Sequence, residues 1–315
     1  GGFPNAAAPA SETELAAYAS RSTTADGKEK GATKLFNSNF LQNTTTIIAP
    51  SKIDDSPDAA SPLSLLPASI FVKSVTLLPY GVLGEQINLS GSFVRQAPEP
   101  NEVSGCVFVD PAGLHHIQPP GGPSGAHGAA GAIYRYIGID KDESFPPDVI
   151  AAVTKTGDAH YHAYIKTTAS IDNAAIADAH DVHVIHAIGP DLNKNADPSG
   201  ASGVPFTRAQ ALSALAVGYK NILSEFVASE QPLLRLLPLS GGIFAGNFID
   251  EIPALTFEAL QAGYDLLGVT ERQYLAAVTK EGGATAMKRE LSMCIFAEKD
   301  MGSFVSAGFN QKAEP

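Results

Sequence analysis

Apolar residues recur along this chain in two rhythms, one helical and one of short, nearly unbroken runs. Leu212, Leu215, Ala216, Tyr219, Ile222, Leu223 and Phe226 keep the spacing of a single helix face. Thr207 and Gln210 form a capping box in front of them, so the pattern predicts an amphipathic helix over 208–228. Further helices are expected from Gly128 through Ile137, over 251–267, over 271–281 behind a Thr270/Gln273 cap, and over 300–309. The short runs IFVKSVTLL, GEQINLSGSFV, SGCVFVD, VHVIHAIG, LLRLLPLS and LSMCIFAE read as strands, VHVIHAIG being apolar enough to be buried on both faces. Strands alternating with helices predict an α/β domain with a largely parallel central sheet. No internal repeat is visible.

Residues 1–68 break this pattern. They are rich in Ala, Ser, Thr, Asn and Pro, with isolated apolar residues and no face to bury. A short helix at Glu12–Ser20, with Ser11 and Glu14 as its capping pair, is the one element expected there. We therefore divide the chain into an extended N-terminal arm, 1–68, and a folded domain, 69–315. Such an arm is expected to lie against its own domain or against other protein subunits. The start Gly1-Gly2-Phe3 fits a tag remnant or a removed targeting segment. In the second case a mitochondrial or other organellar location is expected.

Charge narrows the function classes. A formal net charge of −12 opposes a general nucleic-acid or anionic-membrane binder, both of which need basic surface. It leaves room for one anion held by backbone amides. No apolar run approaches the roughly 18 residues of a membrane helix. Cys106 and Cys294 each sit inside an apolar run and read as buried thiols rather than a disulfide framework.

Candidate chemistry lies where strands run into glycine-rich loops. Ligands of α/β sheets bind beyond the carboxyl ends of strands, and two loops fit that place. One follows SGCVFVDPAG and enters a helix through GAHGAAGAI; the other follows LLRLLPLS as GGIFAGN. Each offers backbone N–H groups to an anion, the first with a helix dipole behind it. A purely structural turn is the competing reading of each.

Five segments in order carry a resemblance: GAAGAIYRYIG, TGDA (156–159), VHVIHAIGPD (182–191), LPLSGGIFAG and MCIFAEKDMGSF. They resemble the macrodomain motifs GVDGAIHRAAG, VIHxVGP and PxxSxGIFG and the segments around them, over roughly residues 70–310. The resemblance implies a three-layer α/β/α fold with a mixed, largely parallel sheet, and an ADP-ribose cleft at the top of that sheet. It implies that Ser240, Gly241, Gly242, Ile243 and Phe244 form the distal phosphate loop, with Phe244 near the ribose. It assigns Gly128, Ala129 and Gly113 to the first loop, and Ser92 and Phe93 to the adenine end.

The departures from the family pattern are as informative. The acidic residue expected at the adenine falls on Ser92. The VNAAN signature reads Val109-Asp110-Pro111-Ala112-Gly113, so its second Asn is Gly113. The Asp of GVDGA is Ala130, and His127 stands where the family has glycine. General base catalysis needs a titratable group within reach of the water, which alanine and glycine do not supply. No catalytic residue, metal ligand or cofactor is therefore assigned, and ADP-ribose or a related nucleotide is the expected ligand. The expected role is a non-catalytic accessory or scaffold subunit; the alternative is a working ADP-ribose reader or a hydrolase with a rebuilt site.

The remaining polar clusters have plain readings beside sharper ones. His160 and His162 share one face of an expected strand, half of a zinc site without a third ligand. His180, His183 and His186 flank the VHVIHAIG strand, where a satisfied buried histidine is the expectation for His186. His115 and His116 are exposed loop histidines or the lining of the cleft mouth, in place of the missing base. Asp110 is the carboxylate nearest the site, expected to tie down loop amides.

Overall fold

The computed structural model describes residues 65–167, 179–193, 205–279 and 290–311. The arm up to residue 64, with its expected helix at Glu12–Ser20, lies outside the described residues, as do residues 280 and 281 of the helix expected over 271–281.

The elements follow in the order α1 (Ala68–Ser74), β1 (Thr76–Leu78), β2 (Glu85–Ile87), β3 (Phe93–Arg95), β4 (Cys106–Pro111), α2 (Leu114–Ile117), α3 (Gly128–Ile137), α4 (Pro147–Ala152), β5 (Ala159–Thr167) and β6 (Ala179–Ala187). Then come α5 (Arg208–Ser229), β7 (Leu233–Leu236), α6 (Ile252–Asp265), α7 (Val269–Thr279), β8 (Glu290–Cys294), α8 (Met301–Ala307) and β9 (Asn310–Gln311).

Seven strands form one sheet in the order β5-β6-β4-β7-β8-β1-β9. Every neighbouring pair is parallel except the edge pair β5/β6. β2 and β3 form a separate antiparallel hairpin, joined to the exit of β8 by a bridge between Ile87 and Ala297. The expected mixed, largely parallel sheet is thus observed.

Side chains alternate across the pleat into two apolar layers. Val107, Val109, Leu234, Leu236, Leu291 and Met293 pack with α1, α5, α6 and α8 on one face. Phe108, Val182, Val184 and Cys294 pack with α3 and α4 on the other. Three layers, α/β/α, result. On the first face α5 and α6 touch closely, because Gly263 brings its backbone against the Ala216 carbonyl; a methyl there would lie 2.8 Å from that oxygen.

The short helices α2 and α4 were not expected, and two expected elements are altered. The run IFVKSVTLL is helical in its first half, and only Thr76–Leu78 is strand. Its apolar residues satisfy a helix stripe (Ala68, Phe71, Val72, Val75), and the Phe71 ring stacks on Tyr264 of α6 at 4.1 Å. Tertiary packing overrides the β-branched composition. The cap of α7 also differs: the Glu271 carboxylate accepts the Gly268 N–H at 2.8 Å, two residues earlier than the Thr270/Gln273 pair implied. The Thr207/Gln210 box on α5 forms as expected.

Candidate functional site at the carboxyl edge of the sheet

Parallel strands put their carboxyl ends on one edge, and here adjacent strands send their chains to opposite faces. After β4 the chain enters the layer of α3, while after β7 it enters the layer of α6. The gap between two such strands is where open α/β sheets accept ligands. It brings together the two glycine-rich loops singled out in the sequence.

The loop after β7 is held by its neighbour after β6. Ser240, buried and left-handed (φ 56°), donates its hydroxyl to the Pro190 carbonyl at 2.6 Å. Leu192 N–H donates to the Phe244 carbonyl at 2.8 Å, and Asn193 Nδ2 to the Ile243 carbonyl at 2.6 Å. Gly241 turns its own N–H inward, to Pro238. Gly242 differs: it is exposed, and a methyl on it would meet nothing within 4 Å. The loop therefore presents open backbone at Gly242 and Ile243, with Ser240 as its internal fastening rather than a ligand-facing hydroxyl.

The first loop reads differently from its glycine content. Methyls on Gly121, Gly122 and Gly131 would collide with the carbonyls of His115, Glu143 and Ala126 respectively. These glycines serve close packing of the loop on its own backbone. Gly128 opens α3 at φ 62°, exposed beside Ala129, after His127, which offers no side-chain cap. Uncapped first-turn amides of a ten-residue helix remain a local anion-attracting end. Ala130 packs against the apolar layer below.

Gly113 is buried at the exit of β4 under two imidazoles. A methyl on it would lie 2.7 Å from Cε1 of His115 and 3.3 Å from Cδ2 of His116. The two rings contact each other with centroids 3.9 Å apart. His116 Nδ1 lies 3.2 Å from the Gly122 carbonyl. Burial, and secondarily the His115 charge, hold the His116 pKa below the ordinary histidine value.

Asp110 does not tie down loop amides as expected. Its Oδ2 lies 2.7 Å from His186 Nδ1, and His186 Nε2 lies 2.8 Å from the Tyr164 hydroxyl. Asp110 and His186 are fully buried. Residues 110 and 186 are register partners on β4 and β6, which explains the pairing. The Tyr134 hydroxyl is buried close to Asp110, and burial followed by the Asp110 charge raises the Tyr134 pKa well above that of a free phenol.

Further along the same edge, Ser92 closes a tight turn. Its N–H donates to Asn88 Oδ1 at 2.9 Å and its hydroxyl lies 3.2 Å from that of Ser90. The carboxylate at this hairpin comes from elsewhere: Glu298 Oε2 accepts the Leu89 N–H at 2.9 Å. Phe93 lies 5.7 Å, centroid to centroid, from Phe296, and the two rings are 50% and 43% exposed. Phe296 and Glu298 were not found from sequence. The available signal was an aromatic residue displaced from the inward alternation of β8.

Solved structures similar to this chain include macrodomains. A macrodomain of Oceanobacillus iheyensis with ADP matches at 16% identity and TM-score 0.35, over 64% of this chain and 81% of that one. A Trypanosoma brucei macrodomain in complex with ADP-ribose matches at 13% identity and TM-score 0.32, over 76% and 86%. No family model matches the sequence, and no curated protein does. At these identities and scores the likeness carries no functional weight.

Other polar clusters lie off this edge. His160 Nε2 and His162 Nδ1 both approach Asp148 Oδ2 of α4, at 3.3 and 2.7 Å. Among the described residues no group of three or more His, Cys, Asp or Glu has a metal-holding arrangement. His183 meets the Tyr161 hydroxyl at 2.7 Å, and the side chain of His180 is outside the described residues. Cys106 and Cys294 are free buried thiols whose pKa values burial pushes up to about 11 and about 12. Two shallow concavities are lined by Pro100–Gly105 with Asp181 and His183, and by α6 and α8 residues around Pro253 and Gly302. Among the described residues no helix is long and apolar enough to cross a membrane.

Proposed function

We propose that the domain is a non-catalytic, macrodomain-like binder of ADP-ribose or a closely related nucleoside diphosphate. The observation that carries this reading is the order of three features along the sheet edge. The histidine pair over Gly113 follows β4, the open Gly242 loop follows the adjacent β7, and at the exit of β8 Phe296 meets Phe93 of the β2/β3 hairpin. Backbone amides at Gly242–Phe244 and at the start of α3 suit a diphosphate. Two exposed aromatic rings suit a base. Asp110 supports the non-catalytic part: its carboxylate is committed to His186 inside the sheet, away from any substrate water.

Titration of the full chain with ADP-ribose in a calorimeter tests this, and saturable binding is the expected result. Absence of heat and of any thermal shift at millimolar ligand overturns it. Hydrolysis of ADP-ribosylated protein by the wild type would overturn the non-catalytic part while leaving binding in place.

An accessory role in a larger assembly is a further part of the proposal, supported by the length of the N-terminal segment and by its sequence, whose isolated apolar residues form no periodic face. Deleting residues 1–64 should then release the domain from its native complex, as read by the size of the species recovered. An unchanged complex would overturn it.

A further inference from the structure

We infer that Arg235 is a positioning residue: it fastens the β2/β3 hairpin to β7 and so sets the span between the aromatic end of the site and the Gly242 loop. This deepens the reading above and rests on it. Arg235 stands on the central strand of the sheet, with Phe108 and Ser292 as its register partners on β4 and β8. It is 7% exposed. Among the described residues no carboxylate pairs with it. Its guanidinium donates instead to two backbone carbonyls, Nη1 to Val82 at 3.0 Å and to Pro98 at 3.1 Å, and Nη2 to Pro98 at 3.1 Å. Its Cζ lies over the Tyr80 ring, 5.6 Å from the centroid.

A buried charge is costly, and replacing one by an apolar side chain of like volume is often neutral or stabilising. The arginine does what such a side chain does not: its fork reaches both stems of the hairpin. Val82 leads into β2 and Pro98 follows β3, and the stems close on each other through Gln96 and Ala97, whose N–H groups donate to the Gly84 carbonyl. A ribbon of three residue pairs does not hold its shape alone in water. Its outer end is tied to the exit of β8 by the Ile87 N–H on the Phe296 carbonyl and by the exposed Leu89–Glu298 contact. Arg235 is the buried tie. The same strand then runs on into the Gly242 loop, so β7 carries both the anchor of Phe93 and the open backbone amides. A base and a diphosphate within one ligand are a set distance apart, and a site that fixes that distance beforehand loses less freedom on binding.

The experiment uses the full chain with Arg235→Met and Arg235→Lys. Nitroxide labels on Ser90→Cys and Ile243→Cys, both exposed positions, read the span without ligand, the two native thiols being buried. The distance distribution should be narrow with Arg235 in place and broad in Arg235→Met. Arg235→Lys should fall between them, because an ammonium keeps donors but not the fork. Calorimetry with ADP and with inorganic pyrophosphate reads the consequence. Arg235→Met should lose about tenfold in ADP affinity, from the added cost of ordering the hairpin on binding. Its response to pyrophosphate, which has no base, should be that of the wild type. An unchanged distance distribution, an unchanged ADP affinity, or equal losses for both ligands overturns the inference and leaves the binding reading intact. If Arg235→Met does not fold, Arg235→Lys decides: a broadened span with a selective loss for ADP supports the inference, and wild-type behaviour overturns it. Failure of the wild type to bind ADP overturns the binding reading, and the role of the span with it.

Discussion

The carboxylate of Asp110 and the imidazole of His186 meet through Oδ2 and Nδ1 at 2.7 Å, both fully buried, as cross-strand partners of β4 and β6. Buried polar groups are costly unless hydrogen-bonded, and the far nitrogen of His186 has its own partner in Tyr164. His186→Ala would leave a buried carboxylate without its main partner. The expected cost is about 3–5 kcal/mol in urea denaturation, the range for breaking a buried pair on one side. A loss below about 1 kcal/mol would show that water already reaches Asp110.

Gly242→Glu should abolish ADP-ribose binding while leaving stability unchanged. The added side chain starts in open space, so nothing in the fold resists it, yet its negative charge stands where the phosphates would lie. Calorimetry and a thermal melt of the same preparation read the two effects separately.

Phe93→Ala and Phe296→Ala should each weaken ADP binding by about 1–3 kcal/mol, the usual worth of an aromatic ring stacked on a base. Both rings are about half exposed, so the melting temperature should hardly move. A drop in stability with no drop in affinity would assign the pair to the hairpin instead.

Two glycines make a contrasting pair. Gly131→Ala drives a methyl into the Ala126 carbonyl, backbone against backbone, and should destabilise by about 1–3 kcal/mol. Gly302→Ala in α8 meets nothing within 4 Å and should be neutral or stabilising by up to about 1 kcal/mol, as alanine is the better helix former. The denaturant midpoint of Gly131→Ala should fall, while that of Gly302→Ala should hold or rise.

Acidification should destabilise the domain as pH falls through the region just below the ordinary histidine pKa of about 6.5. Burial lowers the His116 and His183 pKa values in the folded chain. The unfolded chain therefore takes up protons first, and stability rises with pH across that window. The Asp148 pKa is also lowered: burial, the largest single cause, raises it, but the hydrogen bond and charge of His162 together with the His160 hydrogen bond outweigh it. Its contribution is lost only at more acidic pH, within the carboxylate range. Replacing His116 by Gln should flatten the upper part of the profile measured by urea denaturation between pH 5 and 8.

The long periodic elements were legible in the sequence. The predicted span of α3 agrees with the structure, and α5 with its Thr207/Gln210 box agrees to within a residue, because local spacing and capping chemistry specify them without outside help. The short elements were not. The run IFVKSVTLL reads as one strand by composition, but Ala68–Ser74 is helical, with Ala68, Phe71 and Val72 buried and Phe71 stacked on Tyr264.

The candidate site divides in the same way. The sequence alone determined that glycine-rich backbone follows two strands of an α/β domain and that Gly113 and Ala130 carry no titratable group. Tertiary structure alone decided what each glycine faces. Gly121, Gly122 and Gly131 press on neighbouring carbonyls, whereas Gly242 opens outward. It also decided that Asp110 turns into the sheet, that Phe296 and Glu298 join the hairpin, and that His115 covers Gly113. Spacing along a chain specifies which face of an element a residue occupies, but the partner across a sheet or loop is set by strand order, which spacing does not contain.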